Sequence, residues 1–231
     1  MITHVIANDF HGQWYDRRLT AMLCTFLERV RPDVTWINGD AADFSMLSTK
    51  YRDHRKYPKW TLKDELEHTF RMLEIVGKHA EVYNFLEGNH ENRWNKYLLE
   101  KADKFWGLPT LEASWSELGF GFDNWYKYPD FAHITPKFII THGELVRKNS
   151  GETARAHLGK YGVSLIHGHS HRMGAFFETK LNGTKAAWEN GCMCQLRMPG
   201  QEGPNNWQQG WSVVYVDGDR FHVVQVPVVE Y

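Results

Sequence analysis

The sequence predicts an α/β fold in which two packed β-sheets lie between outer helices, and three observations carry that reading. Short apolar runs alternate with segments of helical period through the first half of the chain. The second half is richer in strand-like runs and holds two hairpin signals, Asn182-Gly183 and Asp217-Gly218. Five apolar runs each end in a knot of aspartate, asparagine or histidine. In an open α/β sheet ligands bind beyond the carboxyl ends of the strands, so the five knots converge on one rim.

The first run leads into Asp9, His11 and Gly12. Leu19, Met22, Leu23, Phe26, Leu27 and Val30 then recur at helical spacing, and Pro32 closes the segment. A strand over 34–38 ends at Gly39 and Asp40. Residues 48–60 are polar, aromatic and basic, and read as an excursion from the fold. Thr61 and Asp64 make a capping-box-like start for a helix with the apolar stripe Leu62, Leu66, Phe70 and Leu73, closed by Gly77. A strand over 81–86 reaches Gly88, Asn89, His90 and Glu91, and residues 92–104 read as helical. Strands over 138–141 and 163–166 flank a helix near 153–160; they end in His142-Gly143 and in Gly168, His169 and His171. Strands over 175–180 and 184–188 straddle the first hairpin turn, and strands over 211–216 and 221–226 the second. Residues 199–210 form a polar Gly/Pro/Asn/Gln loop between the hairpins. With no internal repeat and no flexible linker, residues 1–231 read as a single domain.

Hydrophobic residues make up 42% and charged residues 24% of the 231, an ordinary globular composition. The net charge of −1 argues against coating nucleic acid by global electrostatics, and leaves room for a local basic groove. Three cysteines, Cys24, Cys192 and Cys194, give no disulfide framework and suit a reducing compartment. Cys192 and Cys194 read as half-buried strand thiols, because no second cysteine pair accompanies them as a soft metal site would require. The amino terminus enters a strand without a basic leader, and no apolar stretch approaches the ~20 residues that span a bilayer. The expectation is a cytoplasmic protein with no membrane partner.

The knots carry the chemistry. Two divalent cations held ~3.5–4 Å apart generate a nucleophilic hydroxide at neutral pH and clamp both oxygens of an in-line displacement at phosphorus. Such a site needs hard oxygen ligands, imidazoles and a bridging carboxylate. The Asp9-x-His11 and His169-x-His171 pairs place two ligand types two residues apart, on one side of an extended backbone. Gly39 and Gly88 allow tight turns before Asp40 and Asn89. Any single knot reads more readily as a helix cap or turn than as a metal site; all five together do not. Glu91 reads as negative charge suited to a helix start. His167 reads as a satisfied structural histidine, and His54, His68, His79 and His157 as surface or helix residues.

Asp9-x-His11, Gly39-Asp40-x-x-Asp43, Gly88-Asn89-His90-Glu91, His142 and Gly168-His169-x-His171 resemble, in order, the five signatures of the calcineurin-like metallophosphoesterase superfamily. The resemblance implies a four-layer αββα sandwich: two mixed β-sheets flanked by helices, with the metal site at the strand C-terminal ends. It implies two divalent metal ions, with Mn²⁺ favoured and Fe, Zn²⁺ or Ni²⁺ accepted by the same ligands. Asp9, His11, Asp40 and His171 would hold the first; Asp40 would bridge, and Asn89, His142 and His169 would complete the second. His90 would sit over the phosphate rather than bind metal, and Asp43 would accept its hydrogen bond.

The Ser/Thr protein phosphatases of this superfamily carry an Arg-Gly where this chain has Phe44 and Ser45, and an Arg where it has Glu87. That departure argues against protein phosphatase activity. Residues 48–60 interleave basic and aromatic side chains, as a surface that tracks a phosphate backbone and stacks bases would. They read equally as a solvated loop packed by its own aromatics. Arg52, Arg55 and Lys56 are candidate substrate contacts. Arg147, after the His142 knot, is another, and reads equally as a surface charge. Without a cap domain, the chain resembles the small nuclease-like and phage-type members. The expected activity is hydrolysis of nucleic-acid or nucleotide phosphodiesters. The alternative is a phosphomonoesterase; a non-catalytic scaffold would show eroded ligands, which the sequence does not.

Overall fold

The computed structural model describes residues 1–48, 60–105, 107, 110–119, 121–198 and 204–229. In chain order these form β1 (Ile2–Ala7), α1 (Arg17–Val30), β2 (Val34–Asn38), α2 (Leu62–Gly77), β3 (Val82–Leu86), α3 (Asn92–Lys101), α4 (Leu111–Glu117), β4 (Asn124–Tyr126) and β5 (Phe131–Thr135). There follow β6 (Phe138–Thr141), α5 (Glu152–Tyr161), β7 (Ser164–His167), β8 (Met173–Lys180), β9 (Gly183–Asn190), β10 (Gln209–Asp217) and β11 (Arg220–Val228). One sheet runs β11-β10-β1-β2-β3-β4 and the other β5-β6-β7-β9-β8. In the first, β1 to β4 are parallel and β10 joins β1 antiparallel. In the second, β6, β7 and β9 are parallel, with β5 and β8 antiparallel on the edges. Both sheets are mixed, as expected.

Side-chain alternation along the strands builds the layers. Val5 and Ala7 turn one way, onto Leu19, Leu23 and Leu27 of α1 and Met72, Leu73 and Val76 of α2. Ile6, between them, turns the other way, with Trp36, Leu86 and Val214, onto Phe138, Ile140, Ile166 and Trp188 of the second sheet. Ile139 and Leu165 point outward again and pack under Ala154 and Leu158 of α5. Three cores separate four layers, which is the αββα sandwich the sequence implied. Burying one leucine in such a core contributes roughly 1.5–3 kcal/mol.

Local signals held where their chemistry was specific. Thr61 and Asp64 close a full capping box on α2. Both hairpin turns are offset by one residue from the expected dipeptides. Lys180 pairs with Gly183, so Leu181 and Asn182 make the turn; Asp217 pairs with Arg220, so Gly218 and Asp219 do. The expected helix over 92–104 stops at Lys101, and Asp103–Phe105 form a separate 3-10 turn. No helix of the described residues is long and apolar enough to cross a membrane.

Candidate metal centre

Beyond β1 and β2 the two loops are zipped together: Asp9 N–H donates to Gly39 O, His11 N–H to Asp40 O and Gly12 N–H to Ala41 O, at 2.7–3.0 Å. The expected extended pairing of ligands is not what brings them together. Asp9, His11, Asp40, His169 and His171 all have φ between 49° and 66°, the left-handed region. Tight loops, rather than strand pleat, aim these side chains. Gly39 turns with φ 83° as expected. Gly88 does not; it is small because a Cβ there would lie 2.1 Å from Asp40 Oδ1.

The side chains converge. His171 Nε2 lies 3.2 Å from Asp9 Oδ1 and 2.9 Å from His11 Nε2. Asp40 Oδ2 lies 3.3 Å from His142 Nε2, 3.7 Å from His90 Nε2 and 4.0 Å from His11 Nε2. Asn89 Oδ1 is 3.3 Å from His142 Nε2. Three trios have ligand atoms within 4.8 Å of one another: His11/Asp40/His90 and Asp40/His142/His169, which share Asp40, and His11/His171/Cys194. Asp9, His11, Asp40, His142 and His171 are buried, while Asn89, His90 and His169 are half-buried and form the open side.

Hydrogen bonds at the back of each ring choose the nitrogen that faces the centre. His142 Nδ1–H donates to Asn38 O at 2.9 Å, and His11 Nδ1–H to Asp43 Oδ1 at 3.2 Å, leaving both Nε2 atoms inward. His90 differs. Its Nδ1–H donates to the backbone O of Asp43 at 2.8 Å, and its Nε2 accepts from Arg93 Nη2 at 2.8 Å. Proximity alone would place His90 among the ligands; it is set apart because its Nε2 accepts from the Arg93 guanidinium rather than facing another candidate ligand side chain at hydrogen-bond distance. The Asp43 carboxylate lies 3.2 Å from His90 Nδ1 as well as from His11 Nδ1, so it serves two rings where one was expected.

The electrostatics suit cations. Burial pushes Asp40 up, but His142 and His90 outweigh it and hold the carboxyl well below the usual range. Burial lowers His142, but Asp40 outweighs that and raises it to about 10. A divalent ion would displace that proton. Asp9 Oδ1 is buried without a hydrogen bond among the described residues. Imidazoles, carboxylates and one amide oxygen make a donor set that Mn²⁺, Fe, Zn²⁺ or Ni²⁺ accepts.

Three buried glutamates that sequence reasoning missed hold the loops. Glu91 is more than a helix-start charge: it accepts from the backbone N–H groups of Asp40, Ala42 and Gly88 at 2.8–2.9 Å. Burial, then Asp40, raise its carboxyl to about 7. Glu65 of α2 accepts from Asp43 N–H at 2.8 Å, and burial raises it to about 7. Glu189 at the end of β9 takes the N–H groups of Gly151, Thr153 and Ala154 on one oxygen. Its other oxygen accepts from the hydroxyl of Ser170, between His169 and His171.

Other expectations need correction. His157 is on a helix but buried, its ring centroid 4.3 Å from that of His167. His167 Nδ1–H donates to Gly168 O, yet its Nε2 has no hydrogen bond among the described residues, so it is only half satisfied. Cys192 and Cys194 are fully buried, in single bridges to Gln209 and Tyr15 rather than in a strand. Cys194 Sγ lies 3.9 Å from His171 Nδ1, at the back of the cluster. Trp207, half-buried, meets the His171 ring edge to face at 4.0 Å. Arg147 is exposed and its guanidinium bonds the neighbouring Val146 O. Arg52, Arg55 and Lys56 lie outside the described residues, as does most of the 48–60 excursion.

A two-sheet α/β sandwich with a buried imidazole–carboxylate cluster at the strand ends defines a metal-dependent hydrolase scaffold. The model of the calcineurin-like phosphoesterase family matches residues 2–173, and the chain belongs to that family of metal-dependent phosphoesterases. The Gene 54 protein of Mycobacterium phage L5 is 27% identical over 247 residues, covering 97% of this chain and 93% of that protein. The Gene 54 protein of Mycobacterium phage D29 is 26% identical over 244 residues, with the same coverage. The crystal structure of Vps29 from Chaetomium thermophilum has 10% identity and a TM-score of 0.51 over 98% of each chain, a likeness of fold.

Proposed function

We propose that the chain is a binuclear phosphodiesterase or nuclease acting on nucleic-acid or nucleotide phosphodiesters. The observation that carries this is the fate of the two positions where Ser/Thr phosphatases hold arginines. Glu87 is buried and turned away, accepting from Trp125 Nε1, Lys127 Nζ and Tyr128 N–H. Phe44 is fully buried against Trp94. Neither position offers a cation to a phosphate. A phosphomonoester dianion needs more compensating charge than a diester monoanion, so the arrangement favours the diester.

Asp9, His11, Asp40 and His171 would hold one metal ion, and Asp40, Asn89, His142 and His169 the other. Bound there, the ions, with Mn²⁺ favoured, supply Lewis acidity to the phosphoester and to the attacking water. His90 stands at the mouth, its ring fixed through Nδ1 by Asp43. Its Nε2, the nitrogen nearer Asp40, accepts from Arg93 in this structure, and would exchange that partner for a proton before protonating the leaving oxygen.

The test is the initial rate on bis-p-nitrophenyl phosphate against p-nitrophenyl phosphate, using metal-stripped protein reloaded with Mn²⁺. Faster diester cleavage supports the reading; faster monoester cleavage overturns it in favour of a phosphomonoesterase.

A further inference from the structure

Arg93 occupies the first turn of α3, and its backbone N–H donates at 3.0 Å to the carbonyl of His90 in the turn that precedes the helix. Its guanidinium makes a two-point contact at the mouth of the cluster. Nη1 donates to the backbone O of Asp43 at 2.7 Å, and Nη2 to His90 Nε2 at 2.8 Å. His90 Nε2 in turn is 3.7 Å from Asp40 Oδ2, the carboxylate shared by two of the three ligand trios. The cation is therefore two short steps from the centre of the cluster, on its open side.

The carboxylates of Asp40 and Asp43, both within 4 Å of the His90 ring nitrogens, favour a positive charge here, while two other effects oppose it. The first turn of a helix is the positive end of its dipole, which disfavours a cation by about 0.3–1 kcal/mol. The side chain is also half-buried, so its hydration is reduced. A planar guanidinium suits the oxygens of phosphate better than an ammonium does, because its N–H groups form a fixed fork. With Glu87 and Phe44 turned into the core, this guanidinium supplies one charge where the Ser/Thr phosphatases carry two, which still leaves less compensation than a monoester dianion would draw on.

We propose that Arg93 is the phosphate clamp of this site, binding a non-bridging oxygen of the phosphoester beside His90. The assignment rests on the reading of the cluster as a phosphoesterase centre, and does not depend on whether monoesters or diesters are preferred.

The experiment uses the full chain loaded with Mn²⁺, with Arg93→Ala and Arg93→Lys beside the parent. The readouts are inorganic phosphate affinity by calorimetry, metal content, and kcat/KM on bis-p-nitrophenyl phosphate with and without added guanidinium ion. Loss of one charge-assisted hydrogen bond predicts roughly 10- to 100-fold weaker phosphate binding in Arg93→Ala at unchanged metal content. Guanidinium should restore part of kcat/KM, and Arg93→Lys should fall between. Phosphate affinity of Arg93→Ala within twofold of the parent overturns the clamp alone. Loss of metal without guanidinium rescue also overturns it, by making Arg93 a structural residue. A loaded parent that neither binds phosphate nor cleaves phosphoesters overturns the underlying reading, a result separable from the other two.

Discussion

Glu91 holds Asp40 by its backbone: Oε2 accepts the Asp40 N–H at 2.9 Å across fifty-one residues of sequence. The same carboxylate takes Ala42 N–H and Gly88 N–H, so one side chain ties the loops after β2 and β3 together. Glu91→Ala would leave three N–H donors without that acceptor. At about 1–3 kcal/mol for each unsatisfied donor, the metal-free protein should lose at least roughly 3 kcal/mol of stability. Chemical denaturation measures this; a loss under ~1 kcal/mol would contradict the role.

The ligand cluster and His90 should separate cleanly by mutation. Asp40→Asn and His169→Ala are expected to lose bound metal. His90→Ala is expected to keep it while kcat falls by roughly 10²–10⁴. Metal content by atomic emission, set beside single-turnover rates on a diester, decides the matter. Wild-type turnover in His90→Ala would remove it from the catalytic group.

Glu65 predicts a pH dependence of stability. Its carboxyl rises from 4.5 to about 7 on folding, chiefly by burial, so the folded state holds the proton more tightly than the unfolded chain. The resulting stabilisation is fully present below pH 4.5 and is lost as pH rises through 7. Its size is on the order of 3 kcal/mol. In metal-free protein the stability of the parent relative to Glu65→Gln should decline by that order between pH 4.5 and 8. Parallel curves for the two proteins across this window would refute the prediction.

Glu189 links α5 to the loop that carries His169 and His171. Glu189→Ala should lower Tm and also weaken metal binding, because Ser170 loses the acceptor that fixes it between two ligands. Glu189→Gln, which retains one carbonyl oxygen, should lie between. Titration of Mn²⁺ into both variants provides the check; unchanged metal affinity in Glu189→Ala would confine the residue to capping α5.

The candidate ligands are legible because each follows an apolar run and is polar in a place where strands end. The pattern marks Asp9, His11, Asp40, His142, His169 and His171 as candidates, and the resemblance to the five family signatures assigns them to the two proposed metals. The carboxylates behind them are not legible in this way. Glu65 and Glu189 serve backbone N–H groups at least twenty-two residues away, and such partners leave no trace in local spacing. Glu91 was visible, but its helix-start position offered a sufficient local explanation. Nothing in the local sequence distinguishes Arg93; its bonds to His90 and Asp43 do. β4, with three residues, is too short for alternation to register, and α4, with seven, gives barely two turns of period.

The two sheets contribute to the cluster from opposite sides. Asp9, Asp40 and Asn89 follow strands of the first sheet, and His142, His169 and His171 follow strands of the second. An ion shared between Asp40 and His142 would work as a rivet through the seam where the halves meet. Sliding one sheet against the other would shear its bonds, so loading the centre would also stiffen the joint. Mechanical resistance between the halves would then become a property that chelation switches off, even though every residue of the apolar interior is left untouched.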